Sequence, residues 1–256
     1  MGLSIADGVA FWDHAPEGAR GPPLLLVHGA GGTHLHWPEA LRGLPGRRVL
    51  AVDLPGHGQA PPPGERTIAG YVRALLGLLD ALDIPRAVVA GHSMGGAIAL
   101  SLSLEAPDRV AGLFLVGTGA RLRVSPAILE ASGDPARSAE VAETMASSSF
   151  GPAASPDLRV AHARGVAAQP AGILHGDFTA CDAFDAMQRL DRVRAPAFVV
   201  VGSEDRFTPP RYSAFLRERL PGEGMLVVPG AGHMVASEAP VEVTGAAVAF
   251  LEGLAP

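Results

Sequence analysis

The run Ala87-Val88-Val89-Ala90-Gly91-His92-Ser93-Met94-Gly95-Gly96-Ala97-Ile98-Ala99-Leu100 decides how the rest of the chain is read. Ala87 to Ala90 is a short apolar strand, and Gly96 to Leu100 opens a helix. Between them stands G-x-S-x-G, the pattern of a nucleophile elbow. A turn this tight holds its serine in a strained backbone conformation. Glycine two positions before and two after removes Cβ atoms that would collide. Ser93 Oγ then projects from the carboxyl edge of a sheet, with its backbone at a helix N-terminus, where free N–H groups favour a developing anion. A chain with 32 glycines could carry the pattern by chance, so the strand–turn–helix context and the partners below must support it.

Working outward, more strands follow the same rule. Leu24-Leu25-Leu26-Val27, Val49 to Val52, Gly112 to Val116, Ala197 to Val201 and Met225 to Val228 are continuous apolar runs, as expected of strands buried on both faces. Gly8 to His14 alternates weakly and reads as an opening strand. A short helix is expected from Trp37 to Leu41. Thr67 caps a helix to about Leu82, with Ile68, Val72, Leu75, Leu76, Leu79 and Leu82 on one face. Helices are also expected from Pro210 to Leu220 and from Pro240 to Leu254. Alternating strands and helices predict an α/β fold with a mainly parallel sheet covered on both sides. From about Thr118 to Leu190 the alternation stops. Ser125-Pro126, Asp134-Pro135 and Ser155-Pro156 each place a capping residue before proline, and Gln169-Pro170 is a weaker case. This stretch predicts several short helices inserted over the sheet edge.

Composition sets bounds. A chain of 256 residues that is 48% hydrophobic can bury a sizeable core. Net charge is −6 with no basic run, which argues against nucleic acid or an anionic membrane as the main partner. No apolar run reaches membrane-spanning length, and Met1 to Asp7 shows neither a signal-peptide pattern nor a myristoylation motif. The single Cys181 cannot form an internal disulfide and reads as a small apolar residue, so a cytoplasmic location is expected. The pair His34-x-His36 lacks a third ligand nearby, so no metal is expected. The glycine-rich loop His28-Gly29-Ala30-Gly31-Gly32 lacks the Lys-Ser/Thr of a phosphate-binding loop, and no cofactor is expected.

Three residue types that could act together each follow a buried strand: Ser93, Asp205 and His233. All three should emerge at one carboxyl edge, where ligands of open α/β sheets bind. A serine hydroxyl needs a neighbouring imidazole to accept its proton. His233 can do this, and Asp205 would fix its tautomer. The N–H groups of Met94 and Ala30 could form an oxyanion hole. Asp53 and His57 look like a second pair, but such residues commonly tie a turn together by local hydrogen bonds.

These stretches, together with Asp53-Leu54-Pro55-Gly56-His57-Gly58, Gly202-Ser203-Glu204-Asp205 and Gly230-Ala231-Gly232-His233, resemble the α/β-hydrolase superfamily, in particular its capped esterase, lactonase and carbon–carbon hydrolase branch. The resemblance implies an α/β-hydrolase core over residues 1–117 and 191–256, with a helical cap over 118–190. It implies Ser93 as nucleophile, Asp205 as acid, His233 as base, Ala30 and Met94 as oxyanion donors, and a structural role for Asp53 and His57. The expected activity is hydrolysis of a small to medium carboxylic ester through an acyl-enzyme. Alternatives with the same triad are enol-lactone or carbon–carbon bond hydrolysis, or perhydrolysis. A non-catalytic ligand-binding relative is a further alternative. Expected partners are a small-molecule ester or lactone and, at most, a second copy of the chain. Candidate pocket residues are Leu129, Met145, Phe150, Ile173, Leu174, Phe178 and Met234. Arg121 and Arg123 stand at the cap entrance as solvated groups or carboxylate binders. His162, His175 and His92 read as ordinary polar or packing residues.

Overall fold

A computed structural model describes residues 3–170, 172–222 and 224–254. Its centre is one sheet of eight strands: β1 (Ser4–Ala6), β2 (Val9–His14), β3 (Leu24–Val27), β4 (Val49–Asp53), β5 (Ala87–His92), β6 (Val110–Val116), β7 (Ala197–Gly202) and β8 (Gly224–Val228). The order across the sheet is β1-β2-β4-β3-β5-β6-β7-β8. Strands β3 to β8 run parallel, while β1 and β2 form an antiparallel edge. Every residue of β3, β4, β5 and β6 is buried, as their unbroken apolar runs require. The short strand β1 has no apolar run and was not expected from sequence.

Among the described residues, ten helices accompany the sheet: α1 (Glu39–Arg42), α2 (Ile68–Ala81), α3 (Met94–Glu105), α4 (Pro126–Gly133), α5 (Ser138–Ser148), α6 (Pro156–Ala167), α7 (Ile173–Ala183), α8 (Pro210–Arg219), α9 (Val235–Glu238) and α10 (Pro240–Gly253). Thr67 Oγ1 accepts the Gly70 N–H at 3.1 Å, the cap expected at the start of α2. Ser125 and Ser155 stand directly before the prolines that begin α4 and α6. Asp134-Pro135 instead starts a single tight turn, Pro135–Arg137, and α5 follows it. One face of the sheet buries Leu25, Val27, Leu50 and Val89 against α2 and α3. The other buries Leu24, Leu26, Val88 and Phe114 against Trp37 and α10. From Met94 to Ser103 every residue of α3 is buried, so it is apolar all round rather than on one stripe.

The segment between β6 and β7 holds α4 to α7. Its last part is continuous with the main core: Ala180, Cys181, Phe184 and Leu190 pack there rather than in a separate layer. A small cluster of Ala131, Val141, Met145 and Phe178 belongs to the helical segment itself. Among the described residues, no helix is long and apolar enough to cross a membrane.

Candidate active site

Strands β3 and β5 are neighbours, with Val27 beside Gly91. Their outgoing loops therefore meet at one point of the carboxyl edge. Here the chain has crossed to β4 on one side of β3 and to β5 on the other, the switch point at which open α/β sheets take ligands. Ser93 has φ 53° and ψ −115°, a left-handed conformation that a non-glycine residue adopts only when its surroundings hold it. The surroundings are visible. The Ser93 N–H donates to the Val116 carbonyl at 2.9 Å, and Thr118 Oγ1 donates to the Ser93 carbonyl at 2.8 Å. A Cβ at Gly91 would stand 2.2 Å from the Gly95 carbonyl oxygen, and one at Gly95 would stand 2.3 Å from that of Val27. Only glycine fits either position.

Asp205 follows β7 and His233 follows β8, and these strands are also neighbours. His233 Nδ1–H donates to Asp205 Oδ2 at 2.9 Å. The same carboxylate accepts the N–H groups of Phe207 and Thr208 on Oδ1, both at 2.9 Å, and the Thr208 hydroxyl on Oδ2 at 2.8 Å. Asp205 is buried, which by itself would push its pKa up. The His233 ring and these hydrogen bonds outweigh burial and hold it below the ordinary carboxylate value. Phe207 packs edge-on against the His233 ring, with centroids 5.2 Å apart. Behind it, His92 Nε2–H donates to the His233 carbonyl at 2.9 Å. Burial pushes the His92 imidazole down to about 3, so it serves as a neutral prop. Thr208, Phe207 and this use of His92 were not identified from sequence, although Thr208 lies three residues past the acid.

Ser93 and His233 open onto one cavity of about 280 Å³. Ala30 also lines it. Gly32 N–H turns back to the Gly29 carbonyl at 3.0 Å, and Gly31 has φ 63°. Among the described residues, neither the Ala30 N–H nor the Met94 N–H has a hydrogen-bond partner. Of the expected pocket residues, Met145, Phe178 and Met234 stand on the cavity wall. Phe150, Ile173, Leu174 and Leu129 do not. The Phe150 ring sits behind His162 and under the Arg159 guanidinium. Ile173 fills the space beside Gly56 and Gly64, and Leu174 packs on Gly31. Leu129 joins the small cluster around Met145. Apolar character alone does not say whether a residue of this segment faces the cavity or the core. Arg123 reaches the cavity mouth, half exposed, donating to the Asp182 carbonyl, whereas Arg121 lies outside it, 3.9 Å from the Asp185 carboxylate. Burial pushes the Cys181 thiol well up, so it stays protonated.

Asp53 and His57 are indeed structural, but they do not pair with each other. Asp53 accepts from His34 Nδ1–H at 2.8 Å and from the His34 and Gln59 N–H groups. His57 Nε2 instead meets Asp177 Oδ2 on α7. Nothing local in the sequence pointed to Asp177, a partner 120 positions away. Among the described residues, no group of three or more His, Cys, Asp or Glu is placed to hold a metal ion.

The model of the alpha/beta hydrolase family matches residues 24–247. The pimeloyl-[acyl-carrier protein] methyl ester esterase of Neisseria meningitidis serogroup B is 32% identical over 227 residues, covering 82% of this chain and 85% of that protein. The dihydrolipoyllysine-residue acetyltransferase component of the acetoin cleaving system of Pseudomonas putida is 32% identical over 91% of this chain; the match spans 64% of that longer protein. A solved structure described as a thermophilic esterase superposes with a TM-score of 0.83 at 32% identity, covering 99% of this chain and 98% of the other.

Proposed function

The chain belongs to the alpha/beta hydrolase family, and we propose that it is a serine esterase acting on small to medium carboxylic esters through an acyl-enzyme on Ser93. One observation carries the reading. The strained Ser93 shares a cavity with a histidine whose far ring nitrogen is held by a buried carboxylate. The esterases among its relatives agree with it.

In this reading Ser93 Oγ attacks the ester carbonyl while His233 Nε2 takes its proton. Asp205 holds the other side of the ring and stabilises the imidazolium. The oxyanion sits between the Ala30 N–H on the loop after β3 and the Met94 N–H at the start of α3, both free to receive it. His233 returns the proton to the departing alcohol. A water, activated by the same ring, then releases the acid and frees Ser93. Ser93 and His233 share no hydrogen bond in this structure, a looseness common before substrate closes the site. Residues 118–190 serve as the cap: α5 and α7 supply Met145 and Phe178 to the substrate wall.

A mostly apolar cavity of this size suits short to medium acyl chains. The test is kcat/KM on p-nitrophenyl esters from acetate to palmitate, with a p-nitroanilide for comparison. A maximum at short to medium length and poor anilide turnover are expected. A maximum at palmitate, or equal turnover of ester and anilide, contradicts the reading.

A further inference from the structure

The cavity wall carries polar groups for which acyl transfer has no use. Ser149 is fully buried, and its Oγ has no hydrogen-bond partner. His162, on α6, is 7% exposed, and neither of its ring nitrogens has a partner among the described residues. Both residues line the same cavity as Ser93 and His233. Leaving a buried hydroxyl and a whole imidazole unpaired is costly, and buried polar groups in folded proteins nearly always find a partner.

Both groups are held in place. The Ser149 carbonyl accepts the Met234 N–H at 3.0 Å, which pins this residue to the loop that carries His233. Glu238 spans the same junction, taking the Gly151 N–H at 2.8 Å and the Gly232 N–H at 2.9 Å. Phe150 abuts the His162 ring edge-on, with centroids 5.4 Å apart, and the His36 ring stands 5.6 Å away on the other loop. Fixed polar side chains on the wall of the cavity that holds Ser93 are the kind of group that orients a ligand.

We propose that His162 and Ser149 form a subsite for a second, uncharged oxygen function of the substrate, a hydroxyl, so that the protein prefers hydroxylated esters to plain alkyl esters of equal length. The proposal rests on the esterase reading above and names the substrate class of that site. The chemistry of the pair selects the group. Burial pushes the His162 imidazole down to about 3, so it is neutral and offers one N–H and one lone pair. The Ser149 hydroxyl likewise both donates and accepts. A substrate hydroxyl, which also does both, completes the pair. A carboxylate is disfavoured because, among the described residues, no cation of the wall stands beside these groups to offset the burial of its charge. The cationic groups of the wall lie elsewhere: Arg123 is half exposed at the mouth, 3.8 Å from Asp185, and Arg206 is exposed.

The experiment compares two ester pairs that differ by hydroxyl groups alone. One pair is propyl butanoate and 2,3-dihydroxypropyl butanoate; the other is p-nitrophenyl butanoate and p-nitrophenyl 3-hydroxybutanoate. The readout is the ratio of kcat/KM, hydroxylated over plain, in the wild type, His162→Phe, His162→Gln and Ser149→Ala. The wild type is expected to favour the hydroxylated member of one pair by about 3- to 10-fold. That ratio should fall to near unity in His162→Phe and Ser149→Ala, whatever happens to the plain ester. His162→Gln, which keeps a donor and an acceptor, should retain part of it. A ratio near unity in the wild type for both pairs, or one unchanged by His162→Phe and Ser149→Ala, overturns the subsite. So does a preference for a succinate monoester that His162→Phe abolishes, because the occupant is then charged. If His162→Phe does not fold, Ser149→Ala and His162→Gln carry the test. Failure of the esterase reading is distinct: no ester in either pair is then hydrolysed in a Ser93-dependent way. Calorimetry with methyl butanoate and methyl 3-hydroxybutanoate on the Ser93→Ala protein needs no turnover, and it must then show the discrimination or the subsite fails as well.

Discussion

His57 Nε2 lies 2.8 Å from Asp177 Oδ2, and both side chains are fully buried. The same Asp177 oxygen accepts the Gly31 N–H at 2.8 Å, and its other oxygen accepts the Tyr71 hydroxyl at 2.5 Å. One carboxylate on α7 thus ties together the glycine loop after β3, the turn after β4 and helix α2. The helical segment is fastened to the loop that carries Ala30 by a buried charge as well as by the apolar contact of Leu174 with Gly31.

That relationship predicts the effect of breaking it. Removing one partner of a buried ion pair strands the other, at a cost of about 3–5 kcal/mol. Asp177→Ala should lose stability of that order in urea unfolding, and its kcat should fall with the loosened Gly31 loop. Tyr71→Phe, which removes one neutral donor, should lose about 1 kcal/mol. A loss below that of Tyr71→Phe in the Asp177→Ala protein would show that the pair does not brace the fold.

Acid should unfold the protein earlier than its carboxylates alone would. Burial pushes His36 down to about 4 and His92 and His162 down to about 3, from an ordinary value of 6.5. The unfolded chain therefore binds protons below pH 6.5 that the folded chain refuses. Stability should fall as pH drops from there, with a limiting slope of ~1.4 kcal/mol per pH unit for each such histidine. Urea midpoints should decline steadily between about pH 6.5 and 4.5, and His162→Phe should flatten the slope. A midpoint constant over that range contradicts the neutral, buried state of these rings.

His57 should behave in the opposite sense. Burial alone would lower its pKa, but the Asp177 carboxylate outweighs burial and raises it above 6.5. Its contribution is fully present below pH 6.5 and is lost as pH rises through the raised folded value. The stability difference between wild type and His57→Gln should narrow as pH is taken from neutrality into the alkaline range. A difference that stays constant or widens would mean that His57 is not the charged partner of Asp177.

The acid of the proposed triad makes a separate prediction. Asp205→Asn should fold but lose about 10⁴-fold in kcat, because the amide favours the wrong His233 tautomer. Thr208→Val removes one donor to Asp205 Oδ2 and should lower kcat about 3- to 10-fold with little change in KM. Near-normal turnover in Asp205→Asn would remove it from the mechanism.

These contacts also show which parts of the fold were legible in the chain. Strand and helix alternation, the turn around Ser93 and the caps at Thr67 and Ser155 depend on residues close together in sequence, so pattern and propensity reach them. Ser93, Asp205 and His233 could be placed at one edge because each follows an apolar strand, and parallel strands bring their carboxyl ends together; β8, expected to be buried on both faces, is the half-exposed edge strand, since no ninth strand covers it among the described residues. Asp177 was opaque: a single aspartate on a helix carries no local sign of a partner on a distant turn. Phe150, Ile173 and Leu174 were opaque for another reason. Phe150 and Ile173 are buried and Leu174 partly so, as apolar residues should be, but which surface covers each depends on how α6 and α7 are set, which periodicity does not encode. His162 read as an ordinary polar residue, and Ser149 drew no reading, because their lack of partners exists only in the folded chain.

The central claim is that Ser93 is the nucleophile activated by His233. A fluorophosphonate probe, which modifies only activated serines, tests it most directly when labelled protein is digested and mapped by mass spectrometry. The account predicts one label per chain on Ser93, none in Ser93→Ala, and strongly slowed labelling in an otherwise folded His233→Ala protein. Label on another residue, or labelling of Ser93 at an undiminished rate without His233, would contradict it.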